Sequence, residues 1–341
     1  MYHISTKWIV DMQSAEFSCS VSHDQLSALG LVNFTHMAVA QASCLEAPRS
    51  ILPIQFPVRQ SGTVGICLKV SYGSLDAARA LEWMEYHRLM GVTTVFTYTW
   101  DLDPPVKAVF DYYVKLGFLQ AVPAQPPPPK GGPARGFRRP RYEEQAWMDE
   151  IWASNDCKHR MFGLDFVVVM DMDEFIVPKI GLDTYHDILS SAQRLHPAAG
   201  GFQFDSHVFL LNWGPTRDSP LHIGRYTLRT ARPNYDGVDR NSRWAFIPDR
   251  TYFVLNNLVV PRKPYTSEPV PNQLYTLYHY RSCKPNWKHC KTRPRLEDKS
   301  MLKHELRLVE KILGLANLDQ LLYNDTAYVD KLRHWWTYRV T

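Results

Sequence analysis

The fold is decided by one stretch of sequence, Phe166-Val-Val-Val-Met-Asp171-Met-Asp173-Glu174-Phe-Ile-Val-Pro178. It opens as an unbroken apolar run, which is typical of a strand buried on both faces of a parallel sheet. Carboxylates follow at Asp171, Asp173 and Glu174. If the strand continues that far, Asp171 and Asp173 share one face, because residues two apart on a strand point the same way.

Carboxylates at the end of a buried strand predict a ligand site. In an open α/β sheet, ligands bind outside the carboxyl ends of the strands. Two acidic side chains there suit a hard divalent cation, which in turn can hold phosphate oxygens. The alternative is a strand end followed by a solvated acidic turn. The apolar residues on both sides of Asp171 and Asp173 favour the metal and diphosphate interpretation.

Four stretches of the chain, in the same order, resemble glycosyltransferase family 92. They are Leu81–Gly91 (LEWMEYHRLMG), Asn155–Cys157 (NDC), Met170–Pro178 with its D-x-D-E-F signature, and His279–Arg281 (HYR). The resemblance implies a GT-A-like α/β fold with a mostly parallel central sheet flanked by helices. It also implies a nucleotide-sugar donor, a divalent metal (Mn²⁺ or Mg²⁺) and an inverting transfer.

Three hypotheses for the function follow. The leading one is a metal-dependent glycosyltransferase that takes a sugar from a UDP-sugar, with UDP-galactose as the expected donor, and adds it to a glycan acceptor with a β-linkage. The second is a catalytically silent glycan- or nucleotide-binding module on the same fold. The third is a metal-dependent phosphohydrolase, since such enzymes also carry D-x-D. The long α/β region before Asp171 argues against the third, because many such hydrolases place their first Asp near the domain start.

The composition is that of a globular protein, with 45% apolar and 21% charged residues in a chain of 341. The net charge of +5 favours anionic ligands such as nucleotide phosphates but is too small and too dispersed for a nucleic-acid partner. No apolar run reaches the roughly 18 residues of a membrane span, and the N-terminus lacks a signal-peptide pattern. The resemblance implies a type II membrane protein of the Golgi lumen or secretory pathway, whose anchor is then expected to lie outside this sequence.

Six cysteines and two glycosylation sequons bear on the compartment. Cys283 and Cys290 flank a short loop and are expected to be disulfide-bonded or free thiols. Their neighbours His279 and His289 raise a zinc alternative, but the spacing matches no common zinc pattern. The sequons begin at Asn33 and Asn324, and together with the family resemblance they fit a secretory lumen.

Alternating strand and helix patterns predict the domain organisation. Residues 1–60 are predicted to form an N-terminal extension or stem, and residues 61–341 a catalytic domain. That domain is expected to divide into a nucleotide-binding half, residues 61–178, and an acceptor half, residues 179–341. A Pro-rich insertion at residues 123–141 interrupts the first half, because its Pro and Gly residues cannot build a helix or an interior strand.

Four residues of the first half are candidates for binding the nucleotide. Asp101 and Asp103 follow the second predicted strand, where a carboxylate could accept hydrogen bonds from uracil or ribose. The alternative is that they cap the helix that begins at the following prolines. Lys69 and Tyr72 end the first predicted strand, and the Tyr72 ring could stack on the base.

The second half supplies the remaining candidates. His279 is a candidate third metal ligand beside Asp171 and Asp173, since Mn²⁺ accepts imidazole together with oxygen, and Arg281 is a candidate contact of the diphosphate. An ordinary buried histidine and a surface ion pair are the alternatives. Inverting transfer needs one general base, for which the candidates are Asp205, Asp236 and Asp239.

Two positions depart from the pattern of the family that the chain resembles. The family tends to carry an acidic residue before an Arg-Tyr pair, and Gly224 stands there in this chain. Asn256 and Asn257 fall where related chains often carry a histidine. These departures leave the general base unassigned and keep the silent-module hypothesis open.

Overall fold

The computed structural model describes residues 35–38, 51–54, 56–124, 141–179, 181–231, 242–255, 258–283 and 292–340, with backbone alone at residues 141–149 and 340. The chain divides into two units, Met1–Arg59 and Gln60–Thr341. In the first unit, strands β1 (His36–Ala38) and β2 (Ile51–Pro53) pair antiparallel.

A seven-stranded sheet forms the centre of the second unit, in the order β14-β8-β11-β6-β3-β4-β5. Only β11, among these seven described strands, runs against its neighbours. The strands span β3 Gln60–Gly73, β4 Thr94–Leu102, β5 Leu119–Pro123, β6 Leu164–Val169, β8 Ala199–Phe204, β11 Arg243–Phe246 and β14 Thr266–Pro269. The prediction of an α/β chain with a mostly parallel central sheet is therefore confirmed.

A second, three-stranded sheet carries the other half of the acidic stretch. Its central strand β15 (Tyr275–Arg281) pairs antiparallel with β7 (Glu174–Pro178) and parallel with β9 (Ser206–Leu210). The smaller pairings join β10 with β16 and β12 with β13, where β10 is Leu228–Thr230, β12 is Thr251–Leu255, β13 is Leu258–Pro261 and β16 is Arg295–Glu297.

The helices cover both faces of the central sheet and end the chain. They are α1 (Ala77–Leu89), α2 (Pro104–Lys115), α3 (Arg141–Arg160), α4 (Tyr185–Leu195), α5 (Glu305–Leu313), α6 (Leu318–Leu321) and α7 (Thr326–Val340). Helix α1 begins at Asp76, whose side chain accepts a hydrogen bond from the Arg79 amide at 2.9 Å. Such a cap satisfies one of the amides that a helix start leaves unpaired. Helix α1 is buried almost throughout, and Trp83 and Tyr86 are fully buried in the main core.

Two secondary-structure predictions are wrong in their extent. The alternating run Gly201–Leu211 predicts one strand, but the chain leaves the central sheet at Asp205 and enters the small sheet as β9. The apolar spacing of Met301–Leu322 predicts one closing helix. The helix ends instead at Gly314, and Asn317 lies in the left-handed region at φ 63°. The chain is closed by α7 instead.

A disulfide joins Cys67 on β3 to Cys157 on α3, with 5.9 Å between their Cα atoms. No sequence pattern indicated this pairing, because 90 residues separate the two cysteines. Cys283 is also disulfide-bonded, whereas its expected partner Cys290 lies outside the described residues. Within the residues that the structure describes, no helix combines the length and apolarity that crossing a membrane requires.

Candidate functional site

The acidic stretch lies at the switch point of the central sheet. From β3 the chain moves outward through β4 and β5 and then returns to the other side of β3 as β6. A crevice opens outside the carboxyl ends of two strands where the strand order reverses in this way. Lys69, near the end of β3, and Asp171, just after β6, both lie at that place and are in contact.

Asp171 and Asp173 belong to a turn, not to a strand. Strand β6 ends at Val169, and the amide of Glu174 donates to the Asp171 carbonyl oxygen at 3.2 Å, which closes a turn over residues 171–174. Because the chain turns between them, the two aspartates do not share a strand face as the sequence pattern suggested. Asp171 instead points toward Lys69 and Arg243, and Asp173 toward His279.

Asp171 is held between two cations. Its Oδ1 lies 2.8 Å from Lys69 Nζ, and its Oδ2 accepts a hydrogen bond from Arg243 Nη2. The Lys69 ammonium also donates to Glu150 Oε2 at 2.9 Å. Lys69 adopts φ 59°, a left-handed conformation that is unfavourable for any residue with a Cβ. This backbone conformation occurs where the pairing of β3 with β4 shifts register, between Cys67 and Val70.

The charges in this group, which we call the Asp171 cluster (Lys69, Glu150, Asp171, Arg243), shift one another's pKa values. Burial would raise the pKa of Asp171, but the charges of Arg243 and Lys69 outweigh it and hold that pKa well below its usual range. Burial likewise opposes ionisation of Lys69, yet the carboxylates of Asp171 and Glu150 raise its pKa. Burial raises the pKa of Glu150 against the attraction of Lys69.

This arrangement predicts a pH-dependent contribution of Asp171 to stability. Since its folded-state pKa is depressed, the contribution is fully present above the unfolded-state pKa of about 4 and is lost as the pH falls toward the folded-state value. Asp171→Asn should therefore reduce the free energy of unfolding clearly at about pH 7 and by a smaller amount at about pH 3, where the loss of the contribution has only begun. Chemical denaturation of both proteins at the two pH values measures the difference.

The matched control is Asp111→Asn, because Asp111 pairs with Lys107 on the exposed surface of α2. Its effect should be small at both pH values, as is usual for surface ion pairs. An Asp171→Asn effect of equal size at both pH values would contradict an ion-pair origin.

Asp173, Glu174 and His279 form a second group. One ligand atom from each lies within 4.8 Å of those of the other two. His279 Nε2 is 3.3 Å from Asp173 Oδ2, and His279 Nδ1 is 3.4 Å from Glu174 Oε1. The register of β7 and β15 brings this about, because Glu174 and His279 are directly paired across the two strands and so share a face.

The residues of the second group fit a divalent metal. An imidazole nitrogen with carboxylate oxygens is a donor set that Mn²⁺ accepts. The 3.3 Å between His279 Nε2 and Asp173 Oδ2 matches the separation of neighbouring ligands on one ion, which is roughly 3.0–3.3 Å for bonds of about 2.1–2.3 Å at right angles. The Asp173 side chain is 42% exposed, so an ion would reach this pair from solvent.

Helix α1 holds the backbone of the acidic stretch in place, and the Asn155–Cys157 stretch is anchored to β12. The Trp83 indole donates to the Glu174 carbonyl oxygen at 3.1 Å, and the Tyr86 hydroxyl donates to the Ile176 carbonyl oxygen at 2.9 Å. Asn155 makes two hydrogen bonds with the backbone of Val254. Helix α1, the acidic stretch and the His279–Arg281 stretch therefore meet, although their residues lie far apart along the chain.

The other candidates for nucleotide binding lie at the carboxyl ends of β3 and β4 or directly after β4. The Tyr72 ring is 6.3 Å from that of Trp100, and Asp101 is exposed in a left-handed conformation at φ 46°. Asp103 precedes α2 without capping it through its side chain and accepts a hydrogen bond from Ser74 at 2.8 Å. Asp103 also lines a pocket of about 350 Å³ at the starts of α1 and α2, whose lining includes no residue of the acidic turn.

The candidates of the second half are placed as follows. Arg281 lies two residues beyond His279 on β15, and its charge favours ionised Asp173. Asp205 lies between β8 and β9. Its backbone amide donates a hydrogen bond, 2.6 Å long, to the hydroxyl of Tyr275, which is the first residue of β15. Asp236, Asp239, Asn256 and Asn257 lie outside the described residues, as do residues 125–140 of the Pro-rich insertion.

Three residues of the site were missed in the sequence. Glu174 stands in the acidic stretch, and its direct pairing with His279 could have been found only from the strand register. Arg243 and Glu150 stand 72 positions after and 21 positions before Asp171, in stretches without a distinctive pattern. Their contacts depend on the order of strands in the sheet, which local periodicity does not determine.

Several solved structures show a distant likeness to this chain. Staphylococcus aureus TarS matches with 10% identity and a TM-score of 0.35 over 76% of this chain, which spans 42% of that TarS chain. S. aureus TarS 1–349 in complex with UDP matches with 10% identity and a TM-score of 0.33 over 76% of this chain and 69% of the other. The mannosyltransferase PcManGT from Pyrobaculum calidifontis, in complex with GDP-Man and Mn²⁺, matches with 11% identity and a TM-score of 0.36 over 80% and 83%.

The family relationship rests on a different comparison. Among curated proteins, none matches the chain significantly. A family model does match, however, and it covers residues 62–312, most of the chain and all four stretches whose residues suggested the resemblance. Its description is glycosyltransferase family 92, which makes the α/β architecture described above the GT-A-like fold that the resemblance implied. This chain belongs to glycosyltransferase family 92.

Proposed function

We propose that this chain is a metal-dependent inverting glycosyltransferase that transfers galactose from UDP-galactose to a glycan acceptor with a β-linkage. Its membership of glycosyltransferase family 92 supports the transferase class. The observation that carries the metal dependence is the His279 and Asp173 pair, with 3.3 Å between Nε2 and Oδ2 and an exposed approach on the Asp173 side. The position of this pair beside the switch point of the sheet supports a nucleotide diphosphate as the group that the metal would hold.

Each group in the site has a part in the proposed mechanism. Asp173 and His279 would hold the metal, Mn²⁺ or Mg²⁺, which when bound would neutralise charge that develops on the departing UDP. Asp171 remains the third proposed ligand of the metal, and in this structure its two oxygens contact Lys69 and Arg243. Lys69 and Arg281 are the cations proposed to orient the diphosphate.

The general base of the proposed reaction comes from the second half of the chain. It must accept the proton of the attacking acceptor hydroxyl. Asp205 is the proposed base among the described residues, and Asp236 and Asp239 are the other candidates. Asp101, Asp103 and Tyr72 remain proposed contacts of the nucleotide, at the end of β4 and β3.

One observation favours the alternative of a catalytically silent member of the same fold. A Cβ atom at Gly224 would lie 2.3 Å from Ser219 Oγ and 2.6 Å from Glu305 Oε1, so an acidic side chain does not fit there without rearrangement. The Glu305 carboxylate occupies that space and is bound by Arg217 at 2.8 Å. In this alternative the chain would bind UDP and metal without turnover.

We also propose the lumen of the secretory pathway, including the Golgi, as the compartment. The disulfide between Cys67 and Cys157 supports an oxidising environment. Asn324 supports it as well, because this sequon lies exposed in the turn between α6 and α7, where an oligosaccharide can be attached.

The proposed function is tested by metal-dependent binding and turnover. Wild type should bind Mn²⁺ in the presence of UDP and release UDP from UDP-galactose, and more slowly from other UDP-sugars. Asp173→Asn and His279→Ala should each weaken Mn²⁺ affinity by at least about 10-fold, since each removes a ligand atom. Calorimetry measures the affinity, and a UDP-release assay measures turnover.

The chain offers a matched control, because His186 on α4 also lies near a carboxylate, with Nε2 3.6 Å from Asp165 Oδ2. His186→Ala and Asp165→Asn should leave Mn²⁺ affinity unchanged. Equal affinity of His279→Ala and wild type would remove His279 from the metal site. Binding of Mn²⁺ and UDP without UDP release from any donor or transfer to any glycan acceptor would favour the silent alternative.

A further inference from the structure

Glu174 and His279 are buried opposite each other, and each has one polar side-chain atom without a hydrogen-bond partner among the described residues. Their side chains are 0% and 1% exposed, and they face each other across β7 and β15. Glu174 Oε1 and His279 Nδ1 both lack a hydrogen-bond partner among the described residues, yet they lie 3.4 Å apart. Leaving a buried carboxylate oxygen unpaired is costly, and a small rotation of the imidazole would join the two atoms in a hydrogen bond.

The other oxygen of Glu174 is already engaged. Glu174 Oε2 accepts hydrogen bonds from the Asp171 amide at 2.9 Å and from Arg243 Nε. Both partners are donors, and Arg243 is itself buried and also bound to Asp171. This fixes the carboxylate, so that Oε1 faces His279 as an acceptor and not as a donor.

Because Glu174 Oε1 faces Nδ1 as an acceptor, it determines which ring nitrogen of His279 carries the proton. With Nδ1–H directed at Glu174, Nε2 presents its lone pair to Asp173 Oδ2, 3.3 Å away. Two lone pairs at that distance repel each other unless a cation lies near both. The exposure of Asp173 and the burial of Glu174 also determine from which side a cation can arrive.

We propose that Glu174 is a positioning residue that sets the tautomer of His279, and that Arg243 fixes Glu174 for this role. His279 Nε2 is thereby kept unprotonated and aimed at the place where a divalent cation would meet Asp173. In metal sites, a histidine ligand commonly donates the N–H of its other ring nitrogen to a carboxylate, which fixes the orientation of the ring. This inference rests on the proposed metal dependence, but the tautomer itself is a property of the metal-free protein.

The substitution Glu174→Gln tests the role because it keeps the shape and reverses one hydrogen-bond direction. Arg243 Nε and the Asp171 amide both donate, so they retain the oxygen of the glutamine amide at the Oε2 position. The amide NH₂ then faces His279 Nδ1 and donates to it, which moves the ring proton to Nε2. Mn²⁺ affinity in the presence of UDP should fall by about 10- to 100-fold, the usual effect of losing such a partner.

The experiment combines two readouts. The first is ¹⁵N NMR of labelled histidine at about pH 8, where an ordinary imidazole is neutral, with the His279 signals assigned through His279→Ala. The second is a Mn²⁺ titration in the presence of UDP. The matched control is Glu150→Gln. It likewise removes one carboxylate, but Glu150 belongs to the neighbouring Asp171 cluster, where it contacts Lys69. It should leave the His279 tautomer unchanged.

The outcomes separate this inference from the proposed function. A proton on Nδ1 in metal-free wild type and on Nε2 in Glu174→Gln, with weaker Mn²⁺ binding, supports the role. A proton on Nε2 in wild type overturns it. Unchanged Mn²⁺ affinity in a folded Glu174→Gln protein also overturns it. If wild type binds no Mn²⁺, the proposed function fails, and the wild-type tautomer still decides this inference even if the variant does not fold.

Discussion

Replacing Arg243 with methionine is expected to lower the free energy of unfolding by about 3–5 kcal/mol, the range for breaking a buried ion pair from one side. The Arg243 side chain is 7% exposed and binds both Asp171 and Glu174. Methionine fills much of the same space but leaves Glu174, whose side chain is 0% exposed, without a compensating charge. Asp171 keeps Lys69, so Glu174 should account for most of the loss. Urea denaturation, extrapolated to water, measures the effect.

The control for this prediction is Arg333→Met. Arg333 binds Asp319 at 2.7 Å, but both side chains are more than half exposed. Water solvates both charges there, so this substitution should change stability little. If Arg243→Met were no more harmful than Arg333→Met, Glu174 would have to find water or another partner once the arginine is gone.

Removing the disulfide with Cys67→Ala and Cys157→Ala is expected to cost about 4–5 kcal/mol. The bond closes a loop with a sequence separation of 90 residues, and the loss of chain entropy in the unfolded state grows with the length of the loop that is closed. Both cysteines are fully buried between β3 and α3, so packing lost with the sulfur atoms adds to this. Thermal and urea denaturation under non-reducing conditions compare the variant with wild type.

Reduction of the wild type provides the control, because it opens the bond without changing the sequence. Wild type unfolded in the presence of dithiothreitol should lose most of the same stability. The alanine variant should lose less stability to the reductant, since among the described residues the disulfide of Cys283 is what remains to be opened. A variant that is as stable as non-reduced wild type would show that the unfolded chain is already constrained without the bond.

Much of this architecture could be predicted from local patterns. The apolar run before Asp171 predicted a buried strand with carboxylates after it, and β6 is that strand. Alternation of strands and helices gave the α/β class, because each element leaves its own period in the sequence. His279 was selected from its motif, and the structure places it within 3.3 Å of Asp173.

The remainder could not be predicted because it depends on contacts between distant segments. Arg243 reaches Asp171 only because β11 lies beside β6 in the sheet, an order that no periodicity encodes. The turn at residues 171–174 sends the two aspartates to different partners, whereas the pattern alone treats them as equivalent. The helical spacing of apolar residues also continues past Gly314 although the helix ends there. Such spacing indicates which face of a helix is buried, but it does not indicate where the helix ends.

The Cys67–Cys157 bond makes a covalent ring of all the chain between the two cysteines, which includes β4, α2, β5 and the Pro-rich insertion. A protease that cuts once anywhere inside the ring therefore leaves both fragments attached to each other. Lys69 and Glu150 also lie inside the ring, near its two ends. A single cut among residues 125–140 would therefore leave the backbone segments that carry this ion pair covalently linked. The two fragments would separate only after the Cys67–Cys157 disulfide is reduced.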